Sequence, residues 1–197
     1  MPVPPFLQTD VARCGVTLDP RDWSELEKRV FEVRVPRGGR IQSQARIADV
    51  WLLLQEGVAA SEQTWSDGTS TIARFFEPGH VCANLTSAWT RDFASDDLVA
   101  LTDVAGVAIP DDVFRREYLQ GDGFGTYLRL KMMEAHLFAK ELICAKTSAQ
   151  TEARYRFLID HHDIVVGAVR KQDIARFLGI TPQGLSRFLR RREAGQA

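Results

Sequence analysis

The chain reads as an α+β protein: an N-terminal antiparallel β-roll, jelly-roll-like and flanked by helices, then a long dimerisation helix, then a C-terminal helical helix-turn-helix domain. Three observations predict this. Residues 31–109 consist of short runs rich in β-branched and aromatic residues, separated by turn signals at Pro36-Arg37-Gly38-Gly39, Ser66-Asp67-Gly68, Glu77-Pro78-Gly79 and Ser95-Asp96-Asp97. Residues 126–146 carry apolar side chains at helical spacing on two sides. Residues 171–192 spell two short helices about a tight turn, the second of them basic. The implied division is 1–120 for the β-roll, 121–147 for the long helix and 148–197 for the helix-turn-helix domain.

The elements follow in order. Pro4-Pro5 begins an extended leader, and Asp19 caps a helix over 21–30 with Pro20 at its first position, where a missing N–H costs nothing. Residues 50–58 form a strongly apolar strand, and residues 63–74 bracket Asp67-Gly68 as a hairpin. Residues 98–109 alternate loosely and close the series, which suits an antiparallel barrel or jelly roll. Pro110-Asp111 opens a helix through Leu119, and the glycines of 121–125 break it. The long helix then carries Leu130, Met133, Leu137 and Cys144 on one side and Leu128, Ala135, Phe138 and Leu142 on another. A helix apolar on two faces needs two partners: here its own β-roll and the same helix of a second subunit in a symmetric homodimer. A further helix over 151–160 leads to His161-His162. Neighbours on a helix point apart and no third ligand sits at helical spacing, so these histidines read as a solvated pair at a helix end.

In the terminal segment Ile174, Leu178, Ile180, Leu185 and Phe188 supply the core of two crossed helices, and Ala175 lets their axes approach. Gly179 suits a left-handed helix end, Thr181 caps the next helix, and Pro182 occupies its first position. Arg170 stands where a Ser or Thr cap would serve the first helix better. The face opposite the core carries Gln183, Ser186, Arg187 and Arg190, which with Thr181 and Arg191 are the candidate DNA-binding residues. Gln and Arg have the donor and acceptor geometry to read base edges, and Arg190, Arg191 and Arg192 can pair with phosphates. Two such helices on one dimer would enter successive major grooves of a near-palindromic double-stranded DNA site, roughly 34 Å apart. A hinge around 145–151 would set that spacing.

Composition agrees. At 197 residues and 45% hydrophobic, the chain can bury a sizeable core. Residues 163–197 hold seven Lys or Arg against three Asp or Glu, a net +4 that leaves −5 for the rest of a chain of charge −1. A basic end on an acidic body favours local attraction to phosphate. No basic leader precedes an apolar run and no stretch approaches membrane-spanning length, so a cytoplasmic protein without a membrane partner is expected. Cys14, Cys82 and Cys144 lack C-x-x-C spacing and read as ordinary buried or half-buried thiols. No catalytic set and no metal site is expected: only His80 among the histidines lies in the β region, where it reads as a loop residue, which argues against a metal-dependent barrel enzyme.

The order of helix, β-roll, long helix and helix-turn-helix resembles the Crp/Fnr family of bacterial transcription regulators. Residues 152–158, Glu-Ala-Arg-Tyr-Arg-Phe-Leu, are similar to the family's ERY-x-x-L segment. Residues 174–187, from Ile174 to Arg187, are similar to its IA-x-x-LGIT-x-x-x-LSR element. The resemblance implies that Arg187 and Gln183 face bases, that RNA polymerase is a further partner, and that a small-molecule effector, if one exists, acts through the β-roll. Cyclic-AMP-binding members use a cassette with a Gly-Glu pair and an arginine followed by a small hydroxyl residue. Aligning residues 100–109 with the strand that follows this cassette puts Ala83-Asn84 and Ala94-Ser95 at those pairs. The arginine is absent, Asp92, Asp96 and Asp97 crowd the neighbourhood, and Arg91 is the nearby cation. The iron–sulfur and haem branches are not matched, and no cofactor is implied. The chain stops soon after Arg192, without the β-wing of many winged domains, which keeps open a ligand sensor that acts through protein contacts instead of DNA.

Overall fold

The computed structural model describes residues 3–162 and 164–195. Helices α1 (Pro5–Arg13) and α2 (Pro20–Glu27) precede strands β1 (Phe31–Val35), β2 (Arg40–Gln42), β3 (Val50–Glu56), β4 (Ala59–Thr64), β5 (Ser70–Phe76) and β6 (Val81–Cys82). Helix α3 (Leu85–Thr90) separates these from β7 (Asp97–Ala100) and β8 (Val104–Pro110). Helices α4 (Asp111–Gln120), α5 (Gly123–Thr147), α6 (Thr151–His161), α7 (Val165–Ala168), α8 (Lys171–Leu178) and α9 (Pro182–Glu193) complete the chain.

The strands form two four-stranded antiparallel sheets, ordered β1-β8-β3-β6 and β2-β7-β4-β5. Strand β3 explains the pairing of layers. Leu52 and Leu54 point between the sheets, against Phe76, Leu98 and Val104, while Trp51 and Leu53 point outward onto Leu7, Val11, Phe114 and Leu128. Both faces are buried, so this strand reads as a continuous apolar run. The second sheet is covered in turn: Val58, Ala60, Ile72 and Phe75 share a core with Leu142 of α5, Phe157 and Leu158 of α6, and Phe177 and Leu178 of α8. Helix α5 thus spans two cores. Tyr127 and Leu128 enter the first and Leu142 the second.

Four expectations are corrected. The leader is a helix, because Pro5 stands at its first turn and Leu7 and Val11, one turn apart, are buried. Helix α2 keeps the expected cap, with Asp19 accepting from the amides of Arg21 and Asp22, but ends at Glu27. Residues 98–109 are two strands in different sheets, divided at Leu101-Thr102-Asp103, where Thr102 Oγ1 accepts from Val58 N at 2.8 Å. The glycines of 121–125 do end α4, with Gly121 extended, but the break is shorter than read. Helix α5 begins at Gly123, and a Cβ on Gly125 would lie 2.3 Å from the Glu117 carbonyl, so glycine there lets α5 pack on α4.

Candidate nucleic-acid interface

Helix α8 ends at Gly179, whose left-handed φ of 67° lets its own N–H and that of Ile180 return to the Ala175 carbonyl. Thr181 then caps α9, its Oγ1 accepting from Gly184 N at 3.0 Å. Arg170 makes no side-chain cap, as its type requires. Ile174, Ala175, Leu178 and Leu185 are buried together, and the half-buried Phe188 and Leu189 complete the contact. That packing fixes which face of α9 looks outward. Thr181, Gln183, Ser186, Arg187, Arg190 and Arg191 are all exposed. Among the described residues, Arg187, Arg190 and Arg191 have no carboxylate within 4 Å, so their charge is uncompensated. The exposed Ser186 hydroxyl is engaged by its own helix, donating to the Pro182 carbonyl at 3.0 Å. Arg192 departs from its expected phosphate role: it lies 3.3 Å from Glu152 and over the Tyr155 ring at 5.0 Å, which ties α9 to α6.

The carboxyl end of α8 is held by cations from elsewhere. Lys146 Nζ donates to the Phe177 and Ile72 carbonyls, and Arg154 Nε donates to the Leu178 carbonyl at 3.0 Å while its other nitrogens reach the Ser148 carbonyl and Thr151. Positive charge at a helix C-terminus is favourable. Burial, and Arg154 beside it, pull the Lys146 ammonium down to about 8. Arg176 on α8 pairs with Glu62 and reaches Ser70 Oγ at 2.7 Å, both on the second sheet. The Glu-Arg-Tyr positions of α6 thus brace the turn: Glu152 on Arg192, Arg154 on the α8 carbonyls, Tyr155 against Phe188. Sequence reasoning marked this segment by resemblance alone. Its spacing, with Arg154 two residues and Tyr155 three residues after Glu152, carries no sign of the contacts.

The histidine reading is overturned. His162 is fully buried, its Nδ1 2.8 Å from Glu77 Oε2, and the other oxygen of Glu77 accepts from the amides of Ile164 and Val165 at 3.0 and 3.1 Å. Burial pushes the Glu77 carboxyl up, but the His162 hydrogen bond, its charge and the two amides outweigh that and hold it below the ordinary range. Of the two, only His161 is solvated, with its ring 4.5 Å from that of Phe157. His80 is half-buried against Phe138, its Nδ1 accepting from Glu77 N at 3.1 Å; burial first, then Arg74 and His162, bring it to about 4. These pairings join residues far apart in sequence, so no local pattern announces them.

On α5, Leu130, Met133 and Leu137 stand 41%, 57% and 54% exposed in a row, with Ile143 and Cys144 exposed beyond them, whereas Leu128 and Leu142 are buried. Cys144 is therefore not a buried thiol, while Cys14 is half-buried and Cys82 buried. The cassette positions converge on a cavity of about 280 Å³ lined by Ala83, Asn84, Ala94 and Ser95. Asn84 Nδ2 donates to the Asp96 carbonyl, and the Asp96 carboxylate accepts from Ser61 at 2.5 Å and Ser95 at 3.0 Å. Arg91 is not the nearby cation: it turns away to pair with Asp111 at 2.9 Å. Arg74, from β5 on the opposite wall, lines the cavity instead.

Set against solved structures, the chain is similar to FixK2 from Bradyrhizobium japonicum, with a TM-score of 0.69 at 17% identity over 84% of this chain and 86% of that one. The fold is that of the Crp/Fnr regulators. A transcriptional regulator assigned to the Crp/Fnr family from Eubacterium rectale matches 90% of this chain and 85% of its own at a TM-score of 0.67 and 16% identity. The c-di-GMP-responsive global regulator CLP of Xanthomonas campestris matches at 0.68 and 12% identity, over 90% and 93%. No protein-family model matches the chain, and no curated protein sequence matches it significantly. Among the described residues no helix is long and apolar enough to cross a membrane.

Proposed function

We propose that the protein is a Crp/Fnr-type transcription regulator that binds double-stranded DNA as a homodimer. The observation that carries this reading is the exposed row of Gln183, Arg187, Arg190 and Arg191 on a capped α9, with no carboxylate facing the arginines among the described residues. Gln183 and Arg187 read base edges, and Arg190 and Arg191 meet phosphates. The exposed Leu130, Met133 and Leu137 row on α5 is the seam on which two copies join, so that two α9 helices meet a near-palindromic site. The functional division is 1–120, 121–147 and 148–197.

Cyclic AMP is not the effector. Ala94 offers no charge to a cyclic phosphate, and the Asp96 carboxylate in the same cavity repels one. A swing about residues 145–151 has to release Arg154, Lys146, Arg176 and the Glu77–His162 pair together. Selection of bound sequences from random duplex DNA tests the reading: a palindromic winner is expected, and no enrichment at low ionic strength overturns it.

A further inference from the structure

We propose that the groove between α3, α4 and α5 is a binding site for a hydrophobic carboxylate, its head on Arg74 and its apolar body along Trp89, Tyr118 and Met132. The groove has a volume of about 520 Å³, and among the described residues its lining includes Trp51, Phe114 and Met133 but no Asp or Glu. An apolar cleft with one or two convergent polar groups is the usual form of a small-molecule site.

Arg74 is the anomaly that gives the groove its ligand. It lies between the rings of Phe76 and Phe138, 4.8 and 4.7 Å from their centroids, and among the described residues no carboxylate lies within 4 Å of it. Among the described residues its buried Nε has no hydrogen-bond partner. Burial brings the guanidinium down to about 10. Other buried or half-buried cations of this chain have a partner: Lys131 has Glu134 and Asp10, Lys146 two carbonyls, and Arg176, whose own Nε is unpartnered among the described residues, has Glu62 through its terminal nitrogen. A guanidinium withdrawn from water without an anion is costly, and ring contacts offset only part of that cost. An entering carboxylate supplies the missing partner.

The same side chain also borders the cassette cavity, but that cavity contains Asp96, whose carboxylate repels an anion. The groove has no such charge, and a second cation, Arg129, lines it with its nitrogens on the Tyr118 and Gly121 carbonyls. The exposed ring of Trp89 and the apolar faces of Tyr118 and Met132 accept a flat or branched apolar body.

The test is calorimetric titration of the full chain with 2-naphthoate and with its neutral analogue 2-naphthamide; it needs no DNA, so it stands or falls apart from the regulator reading. Saturable binding at one site per chain is expected for the acid, about tenfold weaker for the amide, and unchanged on dilution of the protein. Arg74→Met is expected to lose about tenfold in naphthoate affinity while raising the Tm of the free protein, because it removes a half-buried charge without a carboxylate partner among the described residues. Arg74→Lys keeps a charge and is expected to retain part of the affinity. No binding of naphthoate at millimolar concentration, equal affinity for acid and amide, or full affinity in Arg74→Met overturns the proposal. So does binding that vanishes at high protein concentration, which would mean that a second copy of the chain fills the groove.

Discussion

At the scale of single residues, side chains on the same helix divide by what already holds them. Arg192 is occupied by Glu152 and Tyr155, whereas Arg187 and Arg191 have no carboxylate partner among the described residues. Arg187→Ala is expected to cost about 1–3 kcal/mol of DNA affinity and to relax sequence preference, read by fluorescence anisotropy on cognate and scrambled duplexes. Arg191→Ala should weaken all duplexes alike and lower the salt slope by about 1. The acid response is also a matter of single groups. Glu77 titrates below its ordinary value in the folded state, so its contribution is present above the unfolded carboxylate range and is lost as pH falls through the folded value. His80, at about 4 when folded, binds its proton more readily once unfolded, so between about 6.5 and 4 stability again falls as pH falls, by up to about 1.4 kcal/mol per unit. Urea denaturation at pH 7, 5.5 and 4.5 should show the decline, and His80→Asn should flatten its upper part.

At the scale of elements, the sequence was legible wherever one segment carries its own signal. Asp19-Pro20, the Asp67-Gly68 hairpin, Gly179 and Thr181-Pro182 each specify a local backbone, and the structure has them as read. The reading failed where a partner decides. Pro5 suits both an extended leader and a helix, and it is burial of Leu7 and Val11 under α5 that selects the helix. Gly125 looks like a breaker until the Glu117 carbonyl is placed beside it. His162 looks solvated until Glu77 is folded over it. The exposed row on α5 carries a prediction of its own. Leu137→Glu puts a charge in the proposed seam, and sedimentation velocity should then find a monomer where the unaltered protein is a dimer, with weakened binding to a two-half-site duplex. A wild-type monomer at every concentration contradicts the seam.

At the scale of the whole molecule, the second sheet and the helix-turn-helix close one core. Phe75 meets Phe177 at 5.0 Å and His162 at 5.8 Å, and Arg176, Lys146 and Glu77 cross the same boundary. Thermal unfolding should therefore be a single transition, with tryptophan fluorescence reporting the β-roll and circular dichroism the helices at coincident midpoints. Phe75→Ala should lower stability by about 3–5 kcal/mol in both signals. Separate midpoints in the unaltered protein would show that the two layers melt independently.

The common core has a consequence for anyone who would dissect this chain. A fragment stopping at Thr147 would strip the cover of α6 and α8 from Val58, Ala60, Ile72 and Phe75 and leave them Phe138 and Leu142 of α5, and a separately expressed tail would lack the wall on which Phe177 and Leu178 rest. Neither piece is a transplantable part. Grafting this helix-turn-helix onto another scaffold would require carrying β4 and β5 along with it.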